Sequence, residues 1–69
     1  MMRQVLLYPG EDGYFIAECP SLVGCATQGE TRELAISNIR EAIELYIDVL
    51  EEDGEQIPAD HFEAMVVAV

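Results

Sequence analysis

Basic side chains are scarce in this sequence of 69 residues. Arg3, Arg32 and Arg40 stand against 14 acidic residues, which gives a formal net charge of −11 at pH 7. Such a charge repels the phosphate backbone of nucleic acids, so we expect no direct binding of RNA or DNA by this chain alone. A basic protein is the kind of partner that the charge favours.

Long apolar runs are also missing. No stretch is long enough to span a bilayer, and residues 1–8 lack the basic start and long apolar middle of a signal peptide. The sequence therefore predicts no membrane association and a cytoplasmic location.

Residue types that bind metals or carry out catalysis are few. The chain has one histidine, His61, and two cysteines, Cys19 and Cys25, without a CxxC or HxxxH spacing. A zinc site needs four ligands at characteristic spacing. In a reducing cytosol, cysteines of this kind are more often small apolar residues than a disulfide. We therefore predict free cysteines, no metal and no cofactor.

No arrangement of nucleophile and base is visible, and no glycine-rich loop that would hold a phosphate. His61 is interpreted as a solvated linker residue rather than as a general base. The sequence thus predicts a protein that is not an enzyme. The alternative is a Mg²⁺-dependent nuclease, which would require several carboxylates to converge in space.

The length predicts a single domain over residues 1–69. At this size only about 60% of the unfolded surface is buried on folding, so a partner chain, a metal or a disulfide usually adds stability. Hydrophobic residues make up 51% of the sequence, which excludes a disordered acidic tail.

The longest periodic segment runs from Thr31 to Gly54 and predicts a helix with one buried face. Thr31 is a good N-cap, and Gly54 is a good stop signal with Pro58 soon after it. At 100° per residue, the side chains within about 60° of Ile39 form the core-facing stripe: Ala35, Ile36, Ala42, Ile43, Tyr46 and Leu50.

Strand-forming segments lie on both sides of this helix. Arg3–Tyr8, Tyr14–Cys19 and Cys25–Gln28 are separated by turn residues and predict an antiparallel meander, with Phe15 and Ala17 facing the helix. The last segment, Phe62–Val69, has the composition and length of a strand. The predicted fold class is therefore α+β: a three-stranded antiparallel meander, one long helix and a fourth C-terminal strand.

The last segment is apolar on both faces, whereas one helix covers one face of a sheet. Left alone it would be an exposed edge, so the sequence predicts a homo-oligomer, a dimer or a tetramer. The alternative is a poorly ordered tail. The predicted oligomer interface consists of Phe62, Met65, Val66, Val67 and Val69.

The run GYFIAECPSLVGCATQGET, from Gly13 to Thr31, and the acidic helix that follows it resemble the HicB antitoxin family. The shared features are an aromatic second strand, a Cys-Pro loop that ends at Gly24 and Cys25, and a Gly-x-Thr entry into the helix. The helix closes at Gly54 and Pro58, and the resemblance covers essentially the whole chain.

This resemblance implies a partial ribonuclease H-like fold without the catalytic carboxylates of ribonuclease H enzymes. It also implies a role as neutraliser of a HicA toxin, a small basic protein that cleaves messenger RNA with a catalytic histidine. Fuller antitoxins of the family carry a C-terminal DNA-binding domain, and nothing follows Val69 here. The expectation is a short form without operator binding of its own, and the alternative is a stand-alone oligomeric domain with no toxin.

The residues predicted to contact a basic toxin are chosen by charge and expected exposure. They lie in the first hairpin and at the end of the helix: Glu11, Asp12, Glu18, Glu51, Glu52 and Asp53.

Overall fold

A computed structural model describes residues 2–61 and 66–69. Its elements are β1 (Leu6–Pro9), β2 (Phe15–Glu18), β3 (Ala26–Gly29) and α1 (Arg32–Glu52). The strands form one antiparallel sheet in the order β1-β2-β3. The predicted meander followed by one helix is confirmed.

The first strand begins later than predicted, at Leu6 instead of Arg3. Continuing the β1–β2 register would place Gln4 opposite Pro20, which has no N–H to donate. The N–H of Gln4 instead donates to the Asp60 carboxylate at 2.9 Å. The start of the chain is thus bonded to the linker that follows the helix rather than to a neighbouring strand.

The predicted fourth strand, Phe62–Val69, falls partly outside the described residues. Residues 62–65 are not described, so nothing is added about Phe62 and Met65 of the predicted interface. Residues 66–69 are exposed and belong to no strand of the described chain. The fourth strand stays a prediction.

The core lies between α1 and one face of the sheet. Ala17 is fully buried there and Phe15 packs beside it, which confirms that these two side chains face the helix. The turn between β2 and β3 closes one end of this core with Leu22. The buried set is Ala17, Cys19, Leu22, Cys25, Ala35, Ile39, Ile43 and Ile47.

The buried stripe of α1 differs from the predicted one at its edge. Ile47 is buried although it lies outside the predicted 60° window, whereas Ile36, inside that window, is 42% exposed. The Asn38 side chain donates to the Gln28 carbonyl of β3 at 2.8 Å, which holds one flank of the helix over β3. The opposite flank, with Ile36, lies on the side of β1, where no further described strand covers it.

Both helix ends have the capping interactions that the sequence predicts. The Thr31 hydroxyl accepts a hydrogen bond from the Leu34 N–H at 3.1 Å. At the other end Gly54 has φ +67°, and the N–H of Glu55 donates to the Leu50 carbonyl. This is a Schellman motif, in which a left-handed residue lets the last carbonyls find donors.

Replacing Thr31 with alanine is expected to lower the free energy of unfolding by about 1 kcal/mol, because the Leu34 N–H loses its acceptor. Urea unfolding followed by circular dichroism measures this loss. Thr31→Ser, which keeps the hydroxyl, is the matched control and should stay within a few tenths of wild type. Equal losses in the two variants would contradict the capping role.

Candidate protein-binding surface

The face of the sheet opposite α1 is not covered by any described part of the chain. Successive side chains of a strand point to opposite faces, and Ala17 points to the helix. The pairing register therefore places two rows of side chains on the open face, one of Leu6, Glu18 and Ala26 and one of Tyr8, Ile16 and Gln28.

A recess lies on this face at the hairpin end. Tyr8, Tyr14 and Ile16 line it, and Glu11 and Asp12 stand at its rim. The remaining lining residues are Pro9, Gly10 and Gln28, so every charge that borders the recess is negative. The surface combines two aromatic rings with carboxylates.

The turn between β1 and β2 fixes how the rim carboxylates are presented. The Gly10 N–H donates to the Tyr14 carbonyl at 2.7 Å, and the Tyr14 N–H donates to the Glu11 carbonyl at 3.3 Å. Asp12 has φ +60°, a left-handed conformation that Asp tolerates better than most residues. Glu11 and Asp12 are both exposed at the tip of this tight turn.

Glu18 adds a third carboxylate to the open face. It accepts a hydrogen bond from the hydroxyl of Tyr8, its neighbour in the adjacent row. This bond, with smaller contributions from burial and from the Glu18 charge, raises the pKa of Tyr8. The Tyr8 hydroxyl thus holds the Glu18 carboxylate in place on the surface.

The structure divides the six acidic residues predicted to bind a toxin into two groups. Glu11, Asp12 and Glu18 border the open face, the first two at the turn between β1 and β2 and Glu18 at the opposite end of β2. Glu51, Glu52 and Asp53 are exposed at the far end of α1, whose 21 residues extend over about 30 Å.

The two ends of α1 are placed at opposite ends of the sheet by side-chain contacts. The Arg32 guanidinium lies 5.3 Å from the centroid of the Phe15 ring, near the hairpin. At the opposite end, the Tyr46 hydroxyl donates to the Val23 carbonyl in the turn after β2. Glu11 and Asp12 are therefore far from the acidic residues at the end of α1, whereas Glu18 lies at the sheet end nearer to them, on the face away from α1.

The two cysteines belong to the core. Cys19 and Cys25 are both free and buried. Burial is the main cause that raises the pKa of the Cys25 thiol, and the nearby Cys19 thiol raises it further. A protonated, buried thiol is a poor nucleophile and a poor metal ligand.

Residues 2–61 and 66–69 contain no group of three or more His, Cys, Asp or Glu side chains placed to hold a metal ion. No helix among these described residues has an apolar run long enough to span a bilayer.

Comparison with known proteins assigns the family. Residues 4–68 match the family described as HicB_like antitoxin of bacterial toxin-antitoxin system. The chain belongs to the HicB-like antitoxin family. The match extends from the start of the sheet through the terminal segment, and confirms the resemblance found in the sequence.

Relatives of similar length occur in archaea and cyanobacteria. A UPF0150 protein of Thermoplasma acidophilum is 43% identical over 67 residues, which is 97% of each chain. A UPF0150 protein of Synechocystis is 50% identical over 56 residues, covering 81% of this chain and 71% of the relative. No solved structure gives a significant match.

Membership of the HicB-like family points to an antitoxin role and to a toxin as the binding partner.

The prediction of binding residues from charge did not include Tyr8 and Tyr14, the two tyrosines of the recess. The alternation of Tyr14, Ile16 and Glu18 along β2 was the signal that could have indicated them, because it places all three on the face away from Ala17.

Proposed function

We propose that this HicB-like domain neutralises a small, basic, RNA-cleaving toxin of the HicA type by covering the toxin's RNA-binding surface. The observation that supports it most is the open sheet face with its aromatic recess, where Glu11, Asp12 and Glu18 supply the charge. Neutralisation requires no chemistry, because the acidic face occupies the positions at which RNA phosphates would bind.

The recess suits a cationic side chain of the partner. An arginine or lysine that enters it meets the rings of Tyr8 and Tyr14, which attract cations through their π faces. Glu11 and Asp12 at the rim offer carboxylates to the same cation, and charged hydrogen bonds of this kind are stronger than neutral ones. Apolar Ile16 at the base completes a surface typical of protein interfaces.

The second acidic group serves the approach of the toxin. Glu51, Glu52 and Asp53 lie at the negative end of the helix dipole, where acidic side chains are unfavourable, and the last turn contains no basic residue. A basic partner would relieve this repulsion. Because these three residues lie far from the recess, we assign them a role in steering the toxin electrostatically or in a second contact with it.

Assembly is a further part of the proposal. Residues 62–69 form the fourth strand of the partial ribonuclease H-like fold, and the domain associates with itself as a dimer or tetramer. The exposure of Val66, Val67 and Val69 in the single chain supports this assignment, because such an apolar segment favours burial against another surface.

Reversing the hairpin charges is expected to weaken binding of the toxin strongly. Glu11→Lys with Asp12→Lys should lower the affinity for the product of a neighbouring reading frame about 100-fold, since like charges at an interface cost several kcal/mol. Glu51→Lys with Glu52→Lys should chiefly slow association. Calorimetry and stopped-flow measurements at low and high salt separate the two effects.

The matched control is Glu41→Lys with Asp48→Lys, which changes the net charge equally on the exposed outer face of α1. If this control weakens binding as much as the hairpin pair, net charge rather than the recess determines affinity. A domain that binds no neighbouring basic protein at any salt concentration is instead a stand-alone oligomeric module.

A further inference from the structure

We propose that an apolar strip on one flank of α1, formed by Leu34, Leu45 and Val49, docks an apolar segment of the toxin that is flanked by basic side chains. The toxin would then extend from the recess around the edge of β3 to the helix. This contact rests on the proposed function, which leaves a second contact open, and the acidic end of α1 keeps its steering role.

The strip is a row of large apolar side chains that reach the solvent. At 100° per residue, Leu34, Leu45 and Val49 lie within about 60° of one another around α1. They are 48%, 66% and 55% exposed, and no described part of the chain covers them. The row extends over about 22 Å of the helix. A continuous apolar row of this kind is typical of surfaces that bind another protein.

Asn38 shows that the strip lies on the β3 side of the helix. Its side chain, on the same flank, donates to the Gln28 carbonyl at 2.8 Å. β3 is the last strand at that edge of the described sheet. Gln28 also lines the recess on the open face. A toxin bound at the recess therefore reaches the strip by passing around β3, which is one strand wide at this point.

The edge of β3 offers backbone groups between the two surfaces. The Cys19 N–H donates to the Cys25 carbonyl, so odd-numbered residues of β3 bond to β2. Ala26 and Gln28 therefore direct their N–H and C=O groups away from β2. Asn38 occupies the Gln28 carbonyl, and the N–H groups of Ala26 and Gln28 are directed to the side from which a partner would approach.

The charge near the strip favours a basic partner. The strip ends beside Glu51–Asp53, and the last turn of α1 contains no basic residue. The arginines of α1 lie elsewhere: Arg32 is over the Phe15 ring, and Arg40 is on the β1 side with Ile36. Apolar side chains flanked by lysine or arginine complement a surface of this composition.

A second copy of the chain is a poorer occupant of the strip than the toxin. Each copy has a formal net charge of −11. A second copy would therefore add negative charge beside a helix end that is already negative. The basic toxin of the proposed function brings the opposite charge, so its approach to the strip is favourable.

The strip and the acidic end of α1 should affect different rate constants. Exposed charges mainly change association, whereas contacts that become buried mainly change dissociation. Leu45→Ser with Val49→Ser should therefore raise the dissociation rate of the toxin about tenfold, with the association rate and its salt dependence unchanged. Both side chains are exposed, so their loss opens no cavity in the core. Stopped-flow measurements at low and high salt give both rates.

Met2→Ser with Ile57→Ser is the matched control. It removes two exposed apolar side chains, one at the chain start and one in the linker after α1. Its dissociation rate should stay within about twofold of wild type. A strip variant that dissociates no faster than this control overturns the docking, while weaker binding of the Glu11→Lys, Asp12→Lys variant would still support the proposed function. A wild-type domain that binds no toxin contradicts both.

Thiol labelling tests the same contact without weakening the complex. Leu45→Cys should react with a maleimide about tenfold more slowly when toxin saturates the domain, because a buried interface excludes the reagent. Ile57→Cys should react equally with and without toxin. Cys19 and Cys25 are buried in the wild type, whose labelling is the baseline. Labelling of Leu45→Cys that toxin does not slow overturns the proposal. Protection without toxin that is lost on dilution also overturns it, and identifies a second copy as the occupant.

Discussion

Replacing Gly29 with alanine is expected to destabilise the domain strongly. Gly29 ends β3 directly beneath the first turn of α1, and a Cβ there would lie 2.4 Å from the Ala35 nitrogen and 2.8 Å from the Leu34 carbonyl carbon. Both are backbone atoms, so no rotamer change relieves the contact. The helix would have to move away from the sheet.

The size of this effect follows from the small margin of stability. Overpacking costs about 1–3 kcal/mol and sometimes more, while a domain of this length has roughly 3–10 kcal/mol in total at usual values per residue. Urea unfolding followed by circular dichroism should show a large decrease in midpoint.

Gly13→Ala is the control for this substitution. Gly13 has φ +80°, but no heavy atom lies within 4 Å of the position that an added Cβ would occupy. The variant should therefore cost only about 1 kcal/mol, from the left-handed backbone alone. A Gly29→Ala midpoint at or above that of Gly13→Ala would contradict the close contact.

Replacing Leu22 with alanine is the second substitution expected to have a large effect. Leu22 is 1% exposed and belongs to the turn between β2 and β3, whose backbone bonds link Cys19, Leu22 and Cys25. The turn thereby directs a large side chain into the end of the core. Truncation leaves a cavity that this bonded backbone cannot readily fill, so we expect a loss of about 2–5 kcal/mol.

Val23→Ala, at the next position, is the matched control. Val23 is 88% exposed, and its carbonyl, which accepts the Tyr46 hydroxyl bond, is kept in the variant. Its unfolding free energy should stay within about 0.5 kcal/mol of wild type. Similar losses for Leu22→Ala and Val23→Ala would show that Leu22 is not a core residue.

Local signals in the sequence were sufficient to predict the three strands of the meander and α1. Thr31 and Gly54 are caps whose geometry depends on neighbouring residues, and both ends of α1 agree with them. The alternation around Phe15 and Ala17 likewise identified the face of β2 that packs on the helix. Interactions of this kind are decided within a few residues, which is why a sequence can reveal them.

The features that sequence did not reveal depend on contacts between distant residues. β1 starts late because Gln4 bonds to Asp60, 56 positions away. Ile36 is exposed on the flank of α1 beside β1, where no further described strand covers it, and helical periodicity does not show which flank is covered. Glu11 and Asp12 lie far from Glu51, Glu52 and Asp53 because α1 crosses the sheet from one end to the other, and a count of charges carries no information about distances.

These placements give each surface of the domain a separate role in the proposed function. In that proposal, the open face with its tyrosine recess contacts the toxin, and the end of α1 steers it.

The most direct test is a titration of messenger RNA cleavage by the neighbouring gene's toxin with this purified domain. If the domain neutralises the toxin by covering its RNA-binding surface, cleavage should fall in proportion to the amount of domain added and cease at a fixed molar ratio. The Glu11→Lys, Asp12→Lys variant should require far more protein for the same effect. Cleavage that continues unchanged at a large excess of domain would contradict the account, as would inactivation of many toxin molecules by each molecule of domain.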